Sequence, residues 1–176
     1  EKVEVVRIEN NDCTQPDHLI ARTIHAKLIV PWFLNDYGFS HRSATLNEAL
    51  IQRSSSHLLG EARFIVHIPC SVRAAALEDS DNAAELRAFI DYGHGLFGNR
   101  GETYWDTLFR LANKNGYIVY GMDWMGMSFY DLPVMAKILM SQPGSVRIIR
   151  DKLIQGYANK FALQHFCRNT LLEMTW

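Results

Sequence analysis

The sequence predicts an α/β protein in which antiparallel N-terminal strands are followed by parallel strands with crossover helices. Two observations carry this. Residues 22–33, RTIHAKLIVPWF, and 61–69, EARFIVHIP, alternate apolar and polar side chains with the period of a half-buried strand. Residues 88–122 then read as strand, glycine-bearing loop, helix and strand, the order of a βαβ unit with parallel strands. One domain is expected over residues 1–176, mainly β over 1–75 and βαβ plus helices over 88–176.

In the first alternating stretch Ile24, Ala26, Leu28 and Val30 share a face, and in the second Ala62, Phe64, Val66 and Ile68 do so. Pro31 and Pro69 are expected to end these strands at comparable points, which suits antiparallel partners. The segment between them is polar and rich in turn formers, with at most a short helix over residues 46–51. Residues 76–87, ALEDSDNAAELR, form a charged connection to a third strand at 88–92. A helix is expected within residues 101–116, where Tyr104, Leu108, Leu111 and Ala112 recur at helical spacing and Gly116 sits at the stop. YIVYGM, 117–122, is a short apolar strand, and the loop DWMGMS, 123–128, follows it. The rest reads as helix, from Phe129 to about Met140 and from Val146 to Leu172, broken at residues 141–144. Val146, Ile149, Leu153, Tyr157 and Phe161 mark one face of the second helix, and RIIRDK, 147–152, reads as solvated.

Composition excludes several functions. The 18 basic and 19 acidic residues are intermixed and leave a formal charge of -1, so there is no overall electrostatic footprint for nucleic acid or an anionic membrane. No run approaches the roughly 18 apolar residues of a membrane-spanning helix, and the opening EKVEVVRIENND is not a signal sequence. The chain opens on Glu1 rather than Met, so an upstream segment is expected to have been removed or to lie outside the sequence. Cys13, Cys70 and Cys167 lack the paired spacing of a zinc site, and no metal or cofactor is expected. Two readings of Cys13 and Cys70 stand: a disulfide in an oxidising compartment, or buried free thiols.

The chemistry-bearing stretch is DYGHGLFGNRGE, 91–102, at the carboxyl end of a strand, with DWMGMS at the end of the next. That edge of an open α/β sheet is where ligands bind. Glycines there let main chain approach a ligand or turn its amides inward; the alternative is a tight structural turn. His94, Gly95 and Leu96 are the candidate anion-stabilising loop, with Phe97, Asp123, Trp124 and Ser128 as candidate substrate contacts. Ser128, His94 and Asp123 are the one triad-like set on this edge, but Ser128 lacks the tight elbow that exposes a nucleophile. Asp123 and Ser128 are better suited to holding a loop by side-chain to backbone bonds. Trp124 beside Gly126 suits an apolar pocket wall, and Met122, Met125, Met127, Met135 and Met140 suit adaptable packing.

YGHGLFG at 92–98 followed by YIVYGMDWMGMS at 117–128 resembles the first half of an α/β-hydrolase. The ordered set RTIHAKLIVP, HIPCSV, YGHGLFGNRGE, DWMGMSFYD and RDKLIQGYANKFALQ resembles a group of large bacterial hydrolase-like proteins, mostly exported. The resemblance implies an incomplete α/β-hydrolase-like sheet and an esterase- or lipase-type activity on carboxylic esters. His94, Gly95 and Leu96 would then be the oxyanion element, with His94 orienting the loop. It also implies that the Gly-x-Ser-x-Gly elbow and the later acidic and histidine members lie beyond Trp176, so the chain alone would be inactive. A second chain or a further copy would complete the unpaired sheet edge. The rival reading is a non-catalytic structural or interaction subunit built on a truncated hydrolase fold.

Overall fold

Alternating side chains build a five-stranded sheet of order β1-β2-β3-β5-β4 in the computed structural model, which describes residues 2–15, 17–35, 44–47, 58–77 and 88–171. The strands are β1 (Val3–Asn10), β2 (Ile20–Trp32), β3 (Leu58–Pro69), β4 (Ala88–Tyr92) and β5 (Tyr117–Met122). The helices are α1 (Cys70–Leu77), α2 (Asp106–Asn115), α3 (Leu132–Ser141) and α4 (Arg147–Asn169). The β1–β2, β2–β3 and β3–β5 pairs are antiparallel, and β4–β5 alone is parallel. The fold is therefore mixed α/β, with antiparallel strands leading into one parallel pair.

Register follows from the alternation. Leu28 faces Ala62, Ala26 faces Phe64 and Ile24 faces Val66. These side chains form one core with Ile118, Tyr120 and Met122 of β5, closed by Leu163, Phe166 and Cys167 of α4. The rings of Phe64 and Phe166 meet edge to face at 5.8 Å. On the other face, Leu108 and Ala112 of α2 pack on Val119, flanked by Ile90, Tyr92 and Tyr117. Gly116 ends α2 in the left-handed conformation, φ 69°.

Several expectations are corrected. Pro31 does not end β2, which runs to Trp32 with Pro31 opposite Leu59. Pairing with β1 stops at Val3 opposite Leu28, so Pro31 lies where one side of β2 no longer needs a ladder donor. Strand β1 itself has no clean alternation because it is an edge, with Val6 and Ile8 exposed. Tyr104 lies outside the helix, after a 3₁₀ turn at Arg100–Thr103. Phe129–Asp131 is likewise a 3₁₀ turn before α3. Of the short helix expected over 46–51, residues 48–51 lie outside the described residues, and Leu46 bridges Leu34 in antiparallel fashion. Residues 78–87 of the charged connection also lie outside them, while 76 and 77 end α1.

The largest correction concerns α4. Its buried face is not Val146–Tyr157–Phe161, which are exposed, but Asp151, Lys152, Gln155, Gly156, Asn159, Leu163, Phe166 and Cys167. RIIRDK is thus no solvated face, because Asp151 and Lys152 are fully buried. Two of the polar residues, Gln155 and Asp151, are inside because they bond irregular backbone. Gln155 accepts from Phe33 N–H at 2.7 Å and donates to Pro31 O at 3.0 Å, and Asp151 accepts from Leu46 N–H at 3.0 Å. Burial alone would raise the Asp151 pKa; the Leu46 amide together with Arg150 and Arg147 more than offsets it, holding the carboxyl below its ordinary range.

A polar cluster interrupts the apolar sheet face under the Arg100–Thr103 turn. Fully buried His67 has Nδ1 2.8 Å from Thr23 Oγ1 and Nε2 2.8 Å from Thr103 Oγ1. Thr103 donates its hydroxyl proton to Arg100 O at 2.7 Å, so it accepts from His67 Nε2–H, and Nδ1 accepts from Thr23. Burial first, and then His25, push the His67 pKa from 6.5 down to about 3. The unfolded chain takes up this proton near 6.5 and the folded chain only near 3, so stability is full above the first value and falls as pH drops between them. Near pH 4.5 the expected loss is about 2–3 kcal/mol. Denaturant melts against pH should show this slope, and His67→Gln should flatten it; an unchanged slope in the variant would remove His67 as its cause.

Candidate functional site

Loops 93–99 and 123–128 leave the carboxyl ends of the parallel neighbours β4 and β5, side by side at one edge of the sheet. Their main chains are stitched together. Phe97 N–H donates to Met127 O at 2.6 Å and Phe129 N–H to Gly98 O at 2.8 Å. Trp124 N–H donates to His94 Nε2 at 2.9 Å, and Arg100 N–H to Asp123 Oδ1 at 3.0 Å. The Arg100 guanidinium also pairs with Asp123 Oδ2. Bonds spread along both loops make them one platform rather than two independent turns.

His94 is the hinge pin of this platform. Gly95 O, 2.8 Å away, can only accept, so His94 Nδ1 carries the proton while Nε2 accepts from Trp124. Both nitrogens are occupied by main chain, which orients the loop and leaves no basic nitrogen for a substrate. Gly95 O also accepts from Gly98 N–H at 2.9 Å, closing a turn in which Phe97 has φ 62°. A left-handed residue at the third position is the mark of a type II turn, where glycine is usual; phenylalanine holds it at a cost of about 1–2 kcal/mol. Strain of this kind is concentrated at functional loops.

The two amides expected to face a substrate oxygen differ. Gly95 N–H is directed at Glu102 Oε2, 3.3 Å away. The Leu96 amide has no hydrogen-bond partner among the described residues, and its residue is 63% exposed. A Cβ on Gly95 would meet nothing within 4 Å, so close contact does not explain this glycine.

The candidate triad is not assembled. Asp123 is fully buried on Arg100, and Ser128, also fully buried, donates its hydroxyl to Asp131 Oδ2 at 2.9 Å. Neither reaches His94, and neither is turned toward solvent where a substrate would lie; both hold the loop. Trp124 is the candidate contact that retains an unused polar group. Its ring meets Tyr157 edge to face at 5.1 Å, Lys160 Nζ lies 5.4 Å from the ring centroid, and its buried Nε1 has no hydrogen-bond partner among the described residues. Leu96 and Phe129 add exposed apolar surface to the two loops.

Sequence reasoning missed the supports of the second loop. Asp131 Oδ2 accepts from Gly126 N–H at 2.7 Å and from Ser128 N–H at 3.2 Å, while Oδ1 pairs with Lys152 Nζ at 3.1 Å. Asp131 and Lys152 are both essentially inaccessible. Gly126 has φ +88°, and a Cβ there would meet the Leu153 main chain. Gly156, inside α4, matters through proximity, since a Cβ would crowd Met125 O and the Trp124 ring. Two signals were available: Ser128-x-x-Asp131 before an apolar run, which is a capping-box pattern, and a glycine in the middle of a helix, which usually marks close packing.

No cluster of three or more His, Cys, Asp or Glu able to hold a metal ion occurs among the described residues. Among them also, no helix is long and apolar enough to cross a membrane. Compared with known proteins, the chain matches no family model, no curated protein and no solved structure.

Proposed function

We propose that this chain is the N-terminal portion of a serine-hydrolase-like protein of esterase or lipase type, acting on carboxylic esters. The observation that carries the reading is the exposed Leu96 amide, unpartnered among the described residues, on a platform that main-chain bonds between the two loops hold in place. Negative charge develops on the carbonyl oxygen as an ester is attacked, and a fixed amide aimed at that oxygen lowers the barrier without reorganising. His94 keeps the loop in shape, and the Asp131–Lys152 pair braces the loop beside it. Trp124, Leu96 and Phe129 supply an apolar wall suited to an acyl chain. No activated serine accompanies them among the described residues, so the nucleophile and its base come from elsewhere and the chain alone is inactive.

Strand β4 supports completion by further polypeptide. It pairs with β5 on one side and with no strand on the other among the described residues. Beside it lies a groove of about 610 Å³ lined by Phe89, Tyr120 and Phe161 together with polar residues of α4. The exposed Ile154, Tyr157 and Phe161 of α4 add an apolar stripe. The Cys13–Cys70 disulfide supports an oxidising compartment.

One observation favours the rival, a non-catalytic interaction subunit. Glu102 already places a carboxylate on the Gly95 amide, where a second oxyanion donor would be wanted. The test is Leu96→Pro in the natively purified, completed protein, since proline deletes this amide alone. Esterase kcat should fall about 10²–10³-fold, while Leu96→Ala, which keeps the amide and loses only wall surface, should lose far less. Equal kcat in both variants would remove the loop from the chemistry.

A further inference from the structure

On the sheet face away from α4, β1, β2 and β3 present a basic cleft of about 270 Å³ beside the Arg100–Thr103 turn. Arg7, His25, Lys27, Arg63 and Arg100 line it, with Val6 beside them. The register is unfavourable for stability alone. Lys27 lies directly opposite Arg63, although like charges facing each other across strands destabilise a sheet. The nearby acids stand outside the lining. Glu9 pairs with Arg7 at 2.9 Å and with His25 at 3.1 Å, Glu61 pairs with Lys27 at 3.1 Å, and Asp123 takes Arg100. Arg7, Lys27 and Arg100 thus each have a carboxylate partner and Glu4 lies directly opposite Lys27, but no carboxylate lines the cleft itself, and Arg63 has no acidic partner among the described residues.

From this we infer that the cleft is a binding site for a phosphoryl group, carried by a small phosphate monoester or by a lipid headgroup. Two features point to that chemistry. A concave surface with converging positive charge concentrates the field on a small volume. A guanidinium offers paired donors to two oxygens of one tetrahedral anion, with a lysine as point charge beside it. Bound phosphate would relieve the opposed cations that the strands hold together. The inference is independent of the hydrolase reading, because it uses the sheet face and not the Leu96 loop. The two sites do touch: Arg100 lines the cleft and also anchors Asp123 at the base of the second loop.

The probes are inorganic phosphate and glycerol phosphate in solution, and vesicles of phosphatidylcholine with and without phosphatidate. Chloride at matched ionic strength is the control. Calorimetric titration and thermal melts should show saturable phosphate binding and a raised Tm, neither reproduced by chloride. Arg63→Gln and Lys27→Gln should weaken binding about ten-fold or more, while Arg168→Gln, on α4, should bind as the parent. Without phosphate, Arg63→Gln should melt at or slightly above the parent temperature, since it removes an opposed charge. Glycerol phosphate binding identifies a soluble ligand, and capture confined to phosphatidate vesicles identifies a headgroup; both support the site. No binding to either, or equal binding by parent and Arg63→Gln, would overturn it.

Discussion

Reduction of the Cys13–Cys70 disulfide lowers the stability of the fold by about 4 kcal/mol, the chain-entropy value for a loop of this length. The bridge spans 57 residues and encloses both β2 and β3, the two longest strands. Its ends are held close without it, since Asn11 N–H bonds Ala21 O and Cys70 N–H bonds Leu19 O. Reduction therefore changes the native state little and frees the unfolded one, so the effect lies in the entropy of the unfolded chain. Against a typical total of about 5–15 kcal/mol this is a large share. Urea melts of the oxidised protein, the reduced protein and the Cys13→Ser/Cys70→Ser variant should agree on the loss. Buried Cys167 stays a thiol throughout and serves as an internal control. A loss below about 1 kcal/mol would mean that the unfolded chain is already compact across this loop.

Asp131→Ala is expected to cost about 3–5 kcal/mol, the range for breaking a buried ion pair by removing one partner. The carboxylate does two jobs. One oxygen takes the Gly126 and Ser128 amides and the Ser128 hydroxyl, and the other takes the Lys152 ammonium. Deleting it strips three donors of their acceptor and removes the counter-charge of a buried lysine. Asp131→Asn keeps the shape and isolates the charge, and adding Lys152→Met should recover part of the loss, because a buried pair replaced by neutral groups is often tolerated. Equilibrium melts of the two single variants and the double variant measure the coupling. Additive losses would show that the two side chains do not act as a pair. Hydrogen exchange should localise the damage, with the Gly126 and Ser128 amides losing protection before those of β2 and β3.

Much of the fold was legible because β2 and β3 each bury one face. A period-two pattern survives wherever one side of a strand is dry, and Ile24 to Val30 and Ala62 to Ile68 carry it. The βαβ element was legible for a different reason, a short apolar run at Tyr117–Met122 that is buried on both faces, set off by the Gly116 stop. Strand β1 was not, because an edge strand need not bury either face and its apolar residues remain in water. Helix α4 misled because periodicity assumes that buried means apolar. Here Asp151, Lys152, Gln155 and Asn159 point inward to satisfy irregular backbone and the second loop, while Tyr157 and Phe161 point outward. The two loops were legible as neighbours at one sheet edge from their glycines and their place at the strand ends. The ion pairs that hold them were not, since Arg100 to Asp123 and Asp131 to Lys152 are tertiary facts without a local signature. Likewise, a net charge of -1 averaged away the basic cleft, which exists only once three strands set their cations side by side.

Labelling of natively purified protein with a fluorophosphonate that reacts with activated serines, read by intact and native mass, tests the hydrolase assignment most directly. The expected result is one label per assembly, on a serine outside residues 1–176, in polypeptide that remains bound to or continuous with this chain. Ser128 should stay unlabelled, because its hydroxyl is buried on Asp131. A stable assembly in which nothing labels, or in which Ser128 is the labelled residue, would contradict the assignment and leave the non-catalytic subunit as the reading of this fold.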